Sequence, residues 1–251
     1  MPTSRHWQAA ETAARTFAGD WTAETPGGAI VGFDAGGIRF AVSGGVESLS
    51  TLRPFTPDTV SRYASVTKHF LASHVLLRPD IISLDDTLGS LLPELQPALA
   101  AVTVGRALDM SGGLPDVREA MTLHGHSIYT ATTGPELIAY CARFRRLNFE
   151  TGTEISYSNT GTRLIEAGME RRGAFLDAFL QSEICAPLGI FLKAPDIWTD
   201  PVPGLAPGYW KSADGTWHLG TVGLHLSAAG SIAGSAVALA TWLGALLRNE
   251  G

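Results

Sequence analysis

The chain has 251 residues, of which 45% are hydrophobic and 17% are charged, and its formal net charge at pH 7 is −6. These values predict one soluble globular domain over residues 1–251 and exclude a surface basic enough for nucleic acid. No apolar run reaches the roughly 18 residues of a membrane span, and residues 1–21 lack the apolar region of a secretion signal, so we expect a cytoplasmic protein with no membrane partner.

The first predicted elements are a helix and a hairpin. Apolar residues recur at helical spacing ahead of Gly19, which predicts an amphipathic helix that packs on a sheet: Trp7, Ala10, Ala14 and Phe17. Two short apolar runs, 29–33 and 38–42, flank a glycine-containing turn and indicate an antiparallel hairpin. Residues 43–58 are polar and rich in turn formers, so we expect a loop there.

Ser65 and Lys68 lie at the start of an apolar helical run that ends before Pro79. A spacing of three residues places the lysine amine beside the serine hydroxyl on one helix face. We expect a buried setting for Lys68, which favours the neutral amine that can take a proton from Ser65. The neighbouring apolar side chains are expected to be buried as well: Ala64, Val66, Phe70 and Leu71. The alternative is a helix cap followed by a surface lysine.

Helical patterns then dominate from about residue 80 to 190, which we expect to form a helical subdomain. Asp85 and Asp86 are the predicted caps of a short helix through Leu92, and Thr103 is the predicted cap of the next helix. A further helix is predicted to start with a capping box and to run on toward a basic end: Thr133, Glu136, Leu137, Ile138, Cys141, Arg143, Phe144, Arg145 and Arg146. Cys141 and the other cysteine, Cys185, have apolar neighbours and no metal spacing, so we expect reduced core thiols.

Tyr157 and Asn159 follow in an extended polar segment, where residues two apart point to the same side. The alternative for Tyr157 is a loop tyrosine with local hydrogen bonds, and for Asn159 it is a helix cap. Beyond them the patterns predict helices over residues 160–171, 174–184 and 235–248, with a break at 186–189 and a long irregular stretch at 195–223 that lines or covers a site.

These segments resemble the serine β-lactamase and penicillin-recognising hydrolase superfamily, first through Ser65 to Lys68 and Tyr157 to Asn159. Five further segments carry the resemblance: Pro26-Gly27-Gly28, Thr56-Pro57-Asp58-Thr59, Leu84-Asp85-Asp86, Ser111-Gly112-Gly113-Leu114-Pro115 and Ala186-Pro187-Leu188-Gly189. The Tyr-x-Asn form is similar to the branch that holds class C β-lactamases, D-alanyl-D-alanine carboxypeptidases, family VIII esterases, D-aminopeptidases and D-amino-acid amidases. The resemblance implies an α/β (α+β) fold of the β-lactamase/transpeptidase type, an antiparallel sheet flanked by helices plus a helical subdomain.

The resemblance also implies roles for four residues. Ser65 would be the acylated nucleophile, Lys68 its activator, Tyr157 a proton shuttle to the leaving group, and Asn159 a ligand of the substrate carbonyl or amide. Lys68 and Tyr157 share the role of acylation base, and the Ser65 backbone N–H would supply half of an oxyanion hole. The expected function is a cofactor-independent, cytoplasmic D-aminopeptidase-like or amidase-like hydrolase of small amides, peptides or esters. An esterase or β-lactamase of the same fold, and a binding module that does not turn substrate over, are the alternatives.

A metal-dependent hydrolase is a third reading, which would use His124 and His126. These two lack a third ligand at useful spacing, so a solvated loop is the preferred interpretation. His69 and His74 are expected to be surface or packing residues of the helix after Lys68. We therefore predict no metal site.

The third motif of the superfamily, Lys-Thr-Gly or His-x-Gly, has one literal match, His218-Leu219-Gly220. It precedes residues 228–231 and the last helix, a segment that in relatives comes before the third-motif strand. We therefore expect His218 to lie in the irregular stretch and not at the site. The resulting hypothesis is an incomplete domain that lacks C-terminal sheet strands and is completed by a second chain or by self-association.

Overall fold

The computed structural model describes residues 4–127, 129–220, 223 and 226–249. It is a mixed α/β structure in which each strand pair is antiparallel. The predicted single domain, its helical subdomain and its incompleteness remain predictions. Among the described residues, no helix is long and apolar enough to cross a lipid bilayer.

A hairpin with two helices packed on it forms one part of the molecule. Strand β1 (Gly28–Asp34) pairs with β2 (Gly37–Gly44), with a bulge after Gly32. Helix α1 (Ser4–Ala18) packs on the hairpin and buries a small cluster made of Ala14, Ala18 and Val42. This confirms the predicted first helix, the hairpin and their contact. The last helix, α11 (Ala236–Leu247), also contacts both strands and begins at the cap Ser235, as predicted.

Helices surround a second, larger core. Seven of its helices follow one another in sequence: α3 (Leu88–Leu91), α4 (Pro97–Ala100), α5 (Val104–Leu108), α6 (Val117–Leu123), α7 (Gly134–Cys141), α8 (Asn159–Arg171) and α9 (Leu176–Phe179). Helix α8 is central, because it contacts α3, α5, α6 and α7 and is buried from its first residue to Met169. The approach to α3 is close: a Cβ on Gly168 would lie 2.6 Å from the Leu91 Cβ. Cys141 and Cys185 are free, buried thiols, and burial raises the pKa of Cys141 to about 12.

Helix α2 (Thr67–Leu76) lies in the larger core, with Phe70 and Leu71 fully buried and Phe70 stacked near Trp242 of α11. A three-stranded sheet lies beside the start of α2. Its strands are β3 (Ser61–Arg62), β7 (Ala233–Gly234) and β4 (Leu192–Lys193), in the order β3-β7-β4.

Two local predictions need correction at helix ends. The cap of α3 is Thr87, whose hydroxyl accepts the Ser90 N–H, and neither Asp85 nor Asp86 has that role. Helix α7 has the predicted capping box of Thr133 and Glu136 but ends at Cys141, before the arginines. Backbone geometry decides the first case, because the N-cap must lie where the chain turns from extended to helical, as Thr87 does.

The region from 174 to 223 also differs from expectation. After α9 the chain continues without a break into a π-helical turn (Leu180–Cys185) and then α10 (Ala186–Leu188), so Pro187 lies near the C-terminal end of one helical segment. The left-handed Gly189 ends the helix. The stretch 195–223 holds a second hairpin, β5 (Gly208–Lys211) and β6 (Trp217–Gly220), which the prediction missed; its residues 221 and 222 lie outside the described residues.

Candidate active site

Ser65 and Lys68 are presented by two helical segments in succession. Ser65 lies in a 3-10 turn, Ala64–Val66, and α2 starts directly after it. The turn is anchored by the preceding Tyr63, whose N–H donates to the Ile232 carbonyl at 2.8 Å and whose hydroxyl donates to the Ser235 carbonyl at 2.6 Å. The Ser65 N–H belongs to the first N–H groups of this turn, which have no intrahelical acceptor. Its use as half of an oxyanion hole stays a prediction.

Tyr157 and Asn159 reach the same place from the start of α8. Ser158 is the cap of α8 and its hydroxyl accepts the Thr160 N–H, so Asn159 is the first helical residue and its side chain is not used as a cap. The Tyr157 hydroxyl donates to Ser65 Oγ at 2.6 Å. The alternative readings of Tyr157 and Asn159 as purely local residues are therefore wrong in this structure.

The Lys68 amine contacts every other member of the cluster. Nζ donates to the Ala229 carbonyl at 2.7 Å and to Asn159 Oδ1 at 2.9 Å, lies 3.4 Å from Ser65 Oγ, and sits 4.7 Å from the centroid of the Tyr157 ring. The two carbonyl oxygens can only accept, so they hold two N–H bonds of the amine. The remaining position faces Ser65 Oγ and can carry either the third proton or, in the neutral amine, the lone pair.

The expected burial around the pair is only partly correct. Phe70 and Leu71 are fully buried, but Ala64 and Val66 are exposed and Lys68 is half-buried. The reason is geometric, because Ala64 and Val66 lie in the 3-10 turn, where the apolar face of α2 has not yet begun. Ala64 adopts φ 48°, a left-handed conformation that costs a non-glycine residue about 1 kcal/mol.

Two groups at this site were missed at the level of sequence. Asp116 is buried, and its Oδ2 accepts both the Asn159 N–H at 2.5 Å and the Asn159 Nδ2 at 2.8 Å. It also caps α6, so an aspartate directly before an apolar helical run was the available signal. The second group, the Ala229 carbonyl, has no such signal, because a main-chain oxygen is not encoded by residue type.

His218 contacts residues of its own hairpin. It lies on β6, where its ring stacks on Trp210 and its Nε2 is 3.2 Å from Ser212 Oγ. Within the part of the chain that the structure describes, no contact joins it to the site. The expectation that it lies outside the site stays a prediction, whereas the expected irregular backbone is replaced by a strand.

Comparison with known proteins gives the family. The Beta-lactamase family matches residues 13–251. The chain belongs to the beta-lactamase family. It is 29% identical over 213 residues to a D-aminopeptidase of Gluconobacter oxydans (strain 621H), a match that covers 80% of this chain and 40% of that relative. The chain thus spans less than half the length of this curated relative.

Solved structures of similar fold agree with this family. An octameric penicillin-binding protein homologue from Pyrococcus abyssi superposes with a TM-score of 0.78 at 23% identity, covering 98% of this chain and 56% of that one. The D-amino acid amidase from Ochrobactrum anthropi SV3, in complex with L-phenylalanine amide, gives a TM-score of 0.77 at 23% identity. The match covers 96% of this chain and 71% of the amidase chain. The β-lactamase-like fold expected from the motifs is therefore confirmed.

A cavity of about 550 Å³ adjoins the cluster of Ser65, Lys68, Tyr157 and Asn159 on the side of Tyr157 and Asn159. Tyr157 and Asn159 form one wall, and the first turn of α6 contributes Asp116, Arg118 and Glu119. Arg118 and Glu119 are exposed side chains of opposite charge at the same opening. The cavity therefore offers a carboxylate that can bind an ammonium group and a guanidinium that can bind a carboxylate, beside Tyr157 and Asn159.

His69, His74 and His124 take packing or surface positions. His74 is buried against the Phe179 ring, and His69 accepts the Trp242 indole N–H at 2.9 Å. His124 is exposed and shares a short hydrogen bond with the Tyr140 hydroxyl. Across residues 4–127, 129–220, 223 and 226–249, no three His, Cys, Asp or Glu side chains come together as a metal site.

Proposed function

We propose that the chain carries the acylating site of a serine hydrolase that cleaves an amide bond, with Ser65 as the nucleophile. The observation that supports this most directly is the arrangement around Ser65 Oγ, which accepts the Tyr157 hydroxyl at 2.6 Å and lies 3.4 Å from the Lys68 amine. A weak alcohol nucleophile needs an adjacent base, and this site offers two candidates within contact distance.

The proposed reaction follows from these contacts. Ser65 Oγ attacks the substrate carbonyl carbon, its proton passes to Lys68 or Tyr157, and the carbonyl oxygen takes the negative charge near the Ser65 N–H. The carbon–nitrogen bond then breaks, and Tyr157 delivers a proton to the leaving amine. A water molecule hydrolyses the ester on Ser65 and regenerates the serine hydroxyl. Asn159 orients Lys68 through Oδ1 and is available to bind the substrate carbonyl or amide.

The cavity beside the site supports a substrate with a free α-amino group. Glu119 lines the same opening as Tyr157 and Asn159, and a carboxylate there favours an ammonium group over a neutral one. The relatives named D-aminopeptidase and D-amino acid amidase are consistent with such substrates. Arg118 at the same opening favours a carboxylate instead, which is the feature that supports a β-lactamase-type substrate as the second candidate.

A reactive-probe experiment tests the nucleophile without knowledge of the natural substrate. A fluorophosphonate should form one covalent adduct on Ser65, with a phosphorus–oxygen bond replacing the phosphorus–fluorine bond, detectable by intact mass. Ser65→Ala should give no adduct and keep its fold, because the exposed hydroxyl bonds only Tyr157 and Lys68 among the described residues. An adduct or turnover retained by Ser65→Ala would overturn the assignment.

A substrate panel then separates the candidates. Hydrolysis of D-alanine p-nitroanilide over the L-isomer, the N-acetylated form and a p-nitrophenyl ester supports the amidase proposal. Glu119→Gln should raise KM for the free amine and leave the N-acetyl compound unchanged, with Arg118→Gln as the matched control at the same opening. Hydrolysis of a chromogenic cephalosporin alone would favour the β-lactamase alternative. Stoichiometric adduct formation without turnover would favour the binding module.

The partner proposal concerns the free edge of the first hairpin. Among the described residues β1 pairs only with β2, and a cavity of about 500 Å³ lies between β1 and β3, lined by Ala29, Arg62 and Leu239 among others. We propose that this gap accepts added strands from a second copy or another polypeptide. A monomeric mass and a constant specific activity across a hundredfold range of concentration would contradict it. Cytoplasmic location stays a prediction.

A further inference from the structure

The Ala229 carbonyl that holds the Lys68 amine belongs to a small, constrained turn. Residues Ser227–Ala229 form a 3-10 turn that is closed by the Gly230 N–H to Ser227 carbonyl bond at 2.8 Å. Ser227 adopts φ 44°, a left-handed conformation that persists only where surrounding contacts hold it. Something outside the turn must therefore fix it, and with it the direction of the Ala229 carbonyl.

Glu166, on the buried side of α8, makes that contact. Its Oε1 accepts the Ser227 hydroxyl at 2.5 Å and its Oε2 accepts the Ala228 N–H at 3.0 Å. The Glu166 side chain is only 4% exposed. A buried carboxylate that receives two donors from one short turn holds that turn firmly, since hydrogen bonds to an ionised acceptor are about twice as strong as neutral ones.

Arg163 supplies the balancing charge. Its guanidinium contacts Glu166 Oε2 and also lies 3.4 Å from Glu170, and the Arg163 side chain is itself 4% exposed. Burial raises the pKa of Glu166, while Arg163 and the two donors from the turn act in the opposite direction. Glu170 is different from Glu166, because it is 37% exposed and makes no bond to the turn.

We propose that Glu166 is a positioning residue of the acylation step, acting through the Ser227–Ala229 turn on the Lys68 amine. The inference rests on the proposed function, because it assumes that Lys68 serves Ser65. Two obligate acceptors, the Ala229 carbonyl and Asn159 Oδ1, direct two N–H bonds of the amine, and the third direction then falls on Ser65 Oγ. Glu166 fixes the first of these acceptors, as Asp116 fixes the second through the Asn159 amide.

Glu166→Asp isolates the effect of position from the effect of charge. The shorter side chain keeps a carboxylate for Arg163 but draws its oxygens back from Ser227 and Ala228 by about 1.5 Å. A displacement of about 1 Å at a catalytic group can cost up to about 100-fold in rate, so we expect kcat to fall by at least about tenfold with KM unchanged. Glu170→Asp makes the same change one helical turn away and should leave both constants at the wild-type value.

Ser227→Ala provides a second variant that keeps both buried charges. It removes one of the two bonds to Glu166 and should lower kcat in the same direction by a smaller factor, again without a change in KM. The measurements are kcat and KM on D-alanine p-nitroanilide and the rate of fluorophosphonate labelling of Ser65, with the folded fraction verified by circular dichroism at the assay temperature.

The outcomes distinguish this inference from the proposed function. If Ser65→Ala is inert while Glu166→Asp and Ser227→Ala keep wild-type kcat, only the positioning role is overturned. A rise in KM at constant kcat, or an equal loss of kcat in Glu170→Asp, would also overturn it, because a purely structural role gives those patterns. Should Glu166→Asp fail to fold, Ser227→Ala decides the question alone. Turnover or labelling that survives in Ser65→Ala would instead overturn the proposed function.

Discussion

Asp116→Asn tests how the Asn159 amide is held. The wild-type carboxylate accepts three N–H groups: Asn159 N at 2.5 Å, Asn159 Nδ2 at 2.8 Å and Glu119 N at 2.9 Å. Asparagine is as good a helix cap as aspartate, so its single oxygen can retain the bond to Glu119. Its amide nitrogen then faces the two donors of Asn159 and cannot accept from either.

The expected loss of stability in Asp116→Asn follows from the two hydrogen bonds that Asn159 no longer makes. A hydrogen bond to a charged group contributes about 1.5–3 kcal/mol, and the donors here are buried beside a residue that is 7% exposed. Because Asn159 can partly reorient, we expect the free energy of unfolding to fall by about 2–4 kcal/mol. The Asn159 amide is also freed to turn its oxygen away from Lys68, so kcat should fall while the protein remains folded.

Urea unfolding followed by circular dichroism at pH 7 measures the loss of stability, and hydrolysis of the best substrate measures the fall in kcat. Asp109→Asn is the matched control, because Asp109 accepts the Ser111 N–H and hydroxyl in a turn but its side chain is 52% exposed and does not contact Asn159. The control should lose less than about 1 kcal/mol and keep its kcat. A loss below about 1 kcal/mol in Asp116→Asn, or an unchanged kcat, would refute the reasoning.

Three further predictions address the proposed proton shuttle, the pH dependence of stability and the packing of α8. Tyr157→Phe should lower kcat by about 10²–10⁴-fold with little change in KM, and a pure KM effect in steady-state kinetics would reassign Tyr157 to binding. Burial lowers the pKa of His74 from 6.5 to about 4, so the unfolded chain binds a proton there first as the pH falls. Between pH 6.5 and 4 this group should remove on the order of 3 kcal/mol of stability, a share of the pH dependence that urea titrations of His74→Gln should lack. Gly168→Ala should cost about 1–3 kcal/mol in the same assay, because its Cβ would lie 2.6 Å from the Leu91 Cβ, and Gly105→Ala, whose nearest contact is 3.3 Å, should cost less.

Much of the local structure was determined by the sequence alone. The apolar spacing before Gly19 predicted α1, the two runs around a glycine turn predicted β1 and β2, and Thr133 with Glu136 predicted the start of α7. The pairing of Ser65 with Lys68 is local in the same sense, since three residues on a helix determine it. These features depend on neighbours within one or two turns of the chain, where residue type carries the information.

The environment of the site was decided by tertiary structure. Tyr157 and Ser65 are 92 residues apart, and only the packing of α8 against α2 brings their oxygens to 2.6 Å. The second hairpin was missed because glycine, proline and tryptophan are common both in irregular segments and in short exposed strands. The Ala229 carbonyl lies in a turn that Glu166 of α8 contacts through Ser227 and Ala228. Its contact with Lys68 could not be predicted at all, because a backbone oxygen gains its direction from the folded turn and has no residue type of its own.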